Sequence, residues 1–202
     1  MTSAISLRAW HRSIMSMFVL LGLGHMALLV RIPEIKKLLA VTSSELGLIL
    51  FAGAVGSIIA LSIAARLIAR FGTKPQLMLG FLMVGSGLAG CALAATMHSP
   101  FWYVACNLIL GFGAGISDVP LNVDGSVIES KMGKSVLPRL HAGFSVGALV
   151  GAAVGTVCIQ LQIPLLAQML VICILQIIAP FATYKFVPAH TAQDDHHRDK
   201  TA

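Results

Sequence analysis

Charged side chains are scarce. They make up 11% of the 202 residues, where soluble domains carry about 25%. With 57% hydrophobic residues and a mean hydropathy of +0.88, the chain cannot cover a water-facing surface. An ordinary soluble domain is excluded, and lipid must serve as solvent. Acids are rarer than bases, eight Asp and Glu against fourteen Lys and Arg. That excess does not point to nucleic acid, because the basic residues lie in short connections, where they set membrane topology. The four cysteines, Cys91, Cys106, Cys158 and Cys173, fall in apolar runs without C-x-x-C spacing. They read as small packing residues, not as disulfides or metal ligands. No G-x-x-x-x-G-K-S/T loop is present, which argues against an ATP-driven motor in this chain. No cofactor or metal is expected. His196 and His197 are a metal-capable pair, but a solvated tail is the better reading.

What remains is long apolar runs. A span needs about 20 such residues, and six segments qualify, near 13–31, 46–68, 76–96, 101–123, 141–160 and 164–185. Pro33, Gly72, Pro75, Pro100, Pro138 and Pro164 mark the connections. The expected fold class is an all-α integral membrane protein, a six-transmembrane-helix bundle. Residues 1–12 form a short polar lead, 13–185 the transmembrane domain and 186–202 a polar tail. The first run is long enough to stay as a helix, so no cleaved leader is expected. Orientation follows from Lys and Arg placement. With both termini inside, eleven basic residues (Arg8, Arg12, Arg66, Arg70, Lys74, Lys131, Lys134, Arg139, Lys185, Arg198, Lys200) face the cytoplasm and three (Arg31, Lys36, Lys37) face out.

Polar residues inside spans are the functional candidates. Asp118 and Asn122 interrupt the fourth span, and an ionisable group there faces a protein interior or a water-filled pathway. Gly111, Gly115, Asp118 and Asn122 share one helical face, the glycines leaving room beside the carboxylate. The competing reading is a structural carboxylate at a helix end. His25, in the first span, can bind solute, relay protons or bond between helices. His141 reads as structural, Arg31 as snorkelling to the outer interface, and Glu129 as a loop charge paired with Lys131 or Arg139. Gln168 and Gln176 share a face that lines a cavity or bonds between helices. Trp10, Trp102 and Tyr103 read as interfacial anchors. Gly143, Gly147, Gly151 and Gly155 recur every fourth residue, a spacing that lets helix backbones approach closely. Leu21–Gly24 (LGLG) is echoed by Leu110–Gly113 (LGFG), and Phe51–Gly53 (FAG) by His141–Gly143 (HAG). The echo fits two related three-helix units.

From Ala65 to Lys74 the chain reads ARLIARFGTK. This resembles the signature loop of the major facilitator superfamily, G-x-x-x-D-R-x-G-R-R/K. Arg70, Gly72 and Lys74 match; Ala65, Ala69 and Thr73 replace the first Gly, the Asp and an Arg. The run from Gly113 to Glu129, GAGISDVPLNVDGSVIE, continued by LHAGFSVG from Leu140 to Gly147, is similar to the fucose-permease-like branch and to its YbjJ-like members. Arg31-Ile32-Pro33-Glu34 also fits the YbjJ-like pattern. The resemblance implies a twelve-span fold of two six-helix halves with the solute site between them. This chain would be the N-terminal half. It implies a proton-coupled symporter for a small polar solute, a sugar by branch, in the bacterial inner membrane. Asp118, Asn122 and His25 would serve substrate and proton, and Arg70, Gly72 and Lys74 the conformational loop. The partners implied are the bilayer, solute, protons and a second six-helix bundle, supplied by a missing half or a homodimer.

Two other functions compete. One is a half-length membrane scaffold that does not transport. The other is an intramembrane serine protease, since Gly143-Phe144-Ser145-Val146-Gly147 spells G-x-S-x-G. That chemistry needs a histidine base within reach. The sixth span has none, and His141 lies one turn away on the same helix, so no enzyme is expected.

Overall fold

The computed structural model describes residues 6–188. The pair His196 and His197 lies outside the described residues. Seven α-helices run in the order α1 (Leu7–Leu29), α2 (Ile32–Leu39), α3 (Ser43–Phe71), α4 (Thr73–Thr96), α5 (Pro100–Met132), α6 (Leu137–Gln160) and α7 (Leu165–Thr183), the last followed by a 3-10 turn at Tyr184–Phe186. Six are long and apolar enough to cross a membrane, and no strand occurs among the described residues. The chain is a multi-pass membrane protein with the architecture of half a twelve-helix fold.

Local chemistry sets the boundaries. Thr42 and Glu45 form a capping box at the start of α3: the Thr42 hydroxyl accepts from the Glu45 N–H, and the Glu45 carboxylate accepts from the Thr42 N–H at 2.7 Å. Gly72 alone joins α3 to α4, at φ 82°, a backbone angle that side-chain-bearing residues rarely adopt. Ser99 caps α5, whose first turn carries Pro100, and Gly133 ends it at φ 61°.

Several helices outrun the predicted spans. α1 starts at Leu7, so Arg8, His11 and Arg12 are helical. The connection after the first span contains α2, which buries Ile35 and Leu39. α5 continues to Met132 instead of stopping near residue 123. Pro120 does not break it, because its missing N–H frees only the Ile116 carbonyl, and Gln76 on α4 donates to that oxygen at 3.0 Å. Glu129 is therefore helical, not a loop charge. Its carboxylate accepts from the backbone N–H groups of Val136 (2.6 Å) and Leu137 (3.0 Å), tying the start of α6 to α5.

The most extensive helix contacts are α4 with α5, α3 with α5, α1 with α6, and α4 with α7. Glycines make the α1–α6 and α3–α5 approaches. A Cβ on Gly147 or Gly151 would strike the Val19 or Leu23 carbonyl of α1, and one on Gly22 the Phe144 carbonyl of α6. On the other pair, a Cβ on Gly111 would strike the Gly53 carbonyl, and one on Gly56 the Leu108 carbonyl. The glycine stripe of α6 thus seats α1 inside the bundle. The sequence echo has a structural counterpart: Gly22 and Gly111, at matching places in the LGLG and LGFG segments, each receive a backbone from the other three-helix unit.

Arg31 does not snorkel. It is 3% exposed and joins two connections at one end of the bundle. Its guanidinium donates to Glu34 (2.7 Å), to Gln168 Oε1 (2.7 Å) and through two nitrogens to the Ile163 carbonyl (3.0 Å each). Gln176 bonds between helices as well, its Nε2 donating to the Leu20 carbonyl at 2.6 Å. Trp10 and Tyr103 lie in the core, and only Trp102 of the three expected anchors is exposed.

Two outcomes follow. Gly147→Leu should destabilise the bundle by about 1–3 kcal/mol or more, because the Val19 carbonyl leaves no room; Gly47→Ala, with nothing within 4 Å, should be neutral or slightly stabilising. Arg31→Ala should cost about 1–3 kcal/mol by leaving the Ile163 carbonyl and Gln168 unpaired. Thermal unfolding in detergent reads both.

Candidate functional site

The α1–α6 and α3–α5 approaches leave a cleft between α1, α3 and α5. One part of it is a cavity of about 200 Å³ with His25 of α1, Ser57 of α3 and Asp118 of α5 in its wall. An adjoining cavity of about 320 Å³ shares His25, Ser57 and Ala114 and extends to Tyr103 and Asn107. Both His25 and Asp118 are exposed, although each lies within a long apolar helix.

Asn122 lies one turn beyond Asp118. Its Nδ2 donates to the Asp118 backbone carbonyl (2.9 Å) and to the Asp118 carboxylate (3.3 Å). The three residues singled out from sequence as a coupling and binding set are therefore brought together, with Asn122 holding one carboxylate oxygen and the cavity open to the other side chains. Gly115 lines the same cavity and Gly111 the adjoining one, and both also pack on α3, Gly111 against the Gly53 carbonyl and Gly115 against the Ser57 carbonyl. The glycine face thus has two uses, one for packing and one for space.

Tyr103 and Asn107 did not stand out in sequence as site residues. Tyr103 is wholly buried in the cavity wall, and its hydroxyl has no hydrogen-bond partner. Asn107 donates through Nδ2 to the Ile49 and Leu50 carbonyls (3.0 and 3.3 Å), and its carboxamide packs over Gly53. An aromatic next to Trp102 at a helix start reads as an anchor by composition alone. A polar residue every fourth position along α5, at Tyr103 and Asn107, was the available signal for a cavity-facing line.

A third residue that sequence reasoning missed is Asp124. It is wholly buried, accepts from the Thr73 hydroxyl at 2.9 Å and faces the Trp10 indole N–H at 3.4 Å. Thr73 occupies a signature-loop position where the pattern has Arg, and a neutral hydroxyl there binds the α5 carboxylate. The rest of the loop is spread out. Gly72 makes the turn, Arg70 lies over Phe71, and Lys74 sits 3.7 Å from the centre of the Tyr184 ring. These contacts join the start of α4 to α1, α5 and the turn after α7.

Ser145 donates its hydroxyl to the His141 backbone carbonyl at 3.1 Å, and the His141 ring packs edge-on against Phe18. The G-x-S-x-G run is thus a stretch of the glycine-packed α6 helix.

Residues 14–201 match the family profile described as Major Facilitator Superfamily. Among curated relatives, an uncharacterised MFS-type transporter of Yersinia pestis is 27% identical over 83% of this chain and 43% of its own length. An uncharacterised transporter of Sinorhizobium fredii is 31% identical over 70% of this chain and 37% of its own. A bacillibactin exporter of Bacillus subtilis is 32% identical over 55% and 28%. The chain thus spans less than half the length of the curated relatives it matches.

Tyr103→Phe removes a buried hydroxyl that has no partner. It should leave stability unchanged or raise it by up to about 1 kcal/mol, read by thermal unfolding of the detergent-solubilised chain.

Proposed function

We propose that this chain, which belongs to the Major Facilitator Superfamily, is the N-terminal six-helix half of a proton-coupled secondary transporter for a small polar solute. The observation that carries the reading is the exposed Asp118, beside Asn122 and in one cavity with His25, midway along apolar helices. Lipid is a poor neighbour for that surface, because a carboxylate facing hydrocarbon is expensive. Water or a second bundle must cover it. A second six-helix bundle, from further residues of a longer chain or from another copy, closes the cleft and makes it a chamber at the interface. Rocking of the two bundles then opens the chamber to one side at a time.

Within that chamber each group has a role. Asp118 takes up a proton on one side and releases it on the other. Asn122 orients its carboxylate. His25 shares its cavity, and Ser57, Asn107 and Tyr103 line the adjoining one with neutral hydroxyl and amide groups. Such groups suit a hydroxyl-bearing solute, and the resemblance to the fucose-permease-like branch favours a sugar. Thr73 and Asp124 hold the α3–α4 turn against α5 and α1, so the turn can follow the bundle as it rocks. The cytoplasmic placement of both termini in the inner membrane rests on the distribution of Lys and Arg.

The test uses the bundle assembled with its second half in proteoliposomes under an imposed proton gradient. Because one relative is named as an exporter, both directions are assayed, with a panel of monosaccharides. Asp118→Asn should abolish gradient-driven transport while leaving membrane insertion and counterflow exchange intact. Unchanged gradient-driven transport in Asp118→Asn removes the carboxylate from the mechanism. Transport in neither direction by the unaltered assembly would favour the scaffold.

A further inference from the structure

The most concentrated charge in the molecule lies away from the cleft. A cavity of about 200 Å³ at the end of the bundle that holds the start of α1 is walled by Arg8, His11, Arg12, Lys134 and Arg139, with Met132 as an apolar patch. These residues come from three places: the first turns of α1, the connection after α5 and the start of α6. Their convergence is tertiary. Lys134, Arg139 and Arg12 lie close enough for their charges to act on His11. Among the described residues none of the five makes an ion pair; the one pair found is Arg31 with Glu34, in the connection that follows α1. The nearby acid, Glu129, is engaged by the Val136 and Leu137 N–H groups.

We infer that this cavity is a binding site for the phosphate of an anionic phospholipid headgroup. Four permanent cations held in one concavity repel one another, and an anion seated among them removes that repulsion. Three of the four are arginines, whose forked guanidinium matches phosphate oxygens. Position selects the lipid as the source. The cavity lies at the ends of the apolar spans α1, α5 and α6, and basic pockets between such helix ends suit anionic lipid headgroups. The apolar Met132 in the cavity wall gives the glycerol and upper acyl chain a surface to lie on. The site also bridges α1 to the α5–α6 connection, so a bound headgroup ties together segments that Glu129 and Trp10 already join from the other side.

Native mass spectrometry of the full chain titrated with phosphatidylglycerol tests the assignment, with phosphatidylcholine and inorganic phosphate as the other probes. One phosphatidylglycerol should bind more tightly than either alternative. Arg12→Gln/Arg139→Gln should weaken it roughly tenfold or more. Arg66→Gln/Lys185→Gln, which removes the same charge elsewhere at that end, should change it by less than about twofold. Arg12→Lys/Arg139→Lys, which keeps the charge but not the forks, should weaken binding less than the Gln pair and guards against a loss caused by misfolding. Equal weakening in the two Gln pairs overturns a built site in favour of diffuse surface attraction. Tighter capture of inorganic phosphate than of phosphatidylglycerol overturns the lipid as its occupant.

Discussion

The backbones of α1 and α6 touch at Gly22, Gly147 and Gly151, and those of α3 and α5 touch at Gly53, Gly56 and Gly111. In lipid there is little hydrophobic drive to press helices together, so packing contacts and internal hydrogen bonds must do it. Removing the side chain at each crossing lets main chains meet directly. A third close approach, of α4 to α5 at Gly80, Gly87 and Gly113, completes the frame. Together these approaches bring α1 beside α5 closely enough for His25 and Asp118 to share a cavity. They also leave α3 and α6 as the most exposed spans.

Polar groups follow from the same solvent. Where a proline frees a carbonyl, as Pro120 does for Ile116, a side chain from the next helix must reach it, and Gln76 does. Arg31 is buried and bonded to two connections, and Gln176 reaches the Leu20 carbonyl of α1. The exposed Asp118 and the unpartnered Tyr103 hydroxyl differ from these in lying along cavities. They belong to the cleft, where a polar group facing an opening has a solute or water to meet. The contrast between Asp118 and Asp124, six positions along the same helix, shows how far placement decides role. The first faces the cleft and accepts from Asn122, whereas the second is enclosed and ties α5 to Thr73 and faces Trp10.

Much of this was legible in the chain. Long apolar runs with few charges admit helices in lipid and little else, because every backbone polar group must be paired within its own segment. The six spans, the all-α class and the two-unit echo follow from that. So does attention to Asp118, since a carboxylate amid apolar residues is costly enough to be noticed in one dimension. Helix ends were less legible. Polar residues such as Arg8 and Glu129 look like loop composition, yet a helix continues past the apolar layer when caps and neighbours support it.

The sequence by itself determined the solvent, the number of crossings and the residues too polar to sit in lipid without a reason, because each is a matter of transfer energy along a single segment. Only the tertiary structure decided what each polar residue meets. It buried Arg31, Trp10, Tyr103 and Asp124, brought Asn122, Asp118 and His25 to one cleft, and gathered Arg8, Arg12, Lys134 and Arg139 around another. Those pairings join residues far apart in the chain. Their geometry depends on which helix faces approach, and that is set by glycine contacts whose partners no local pattern names.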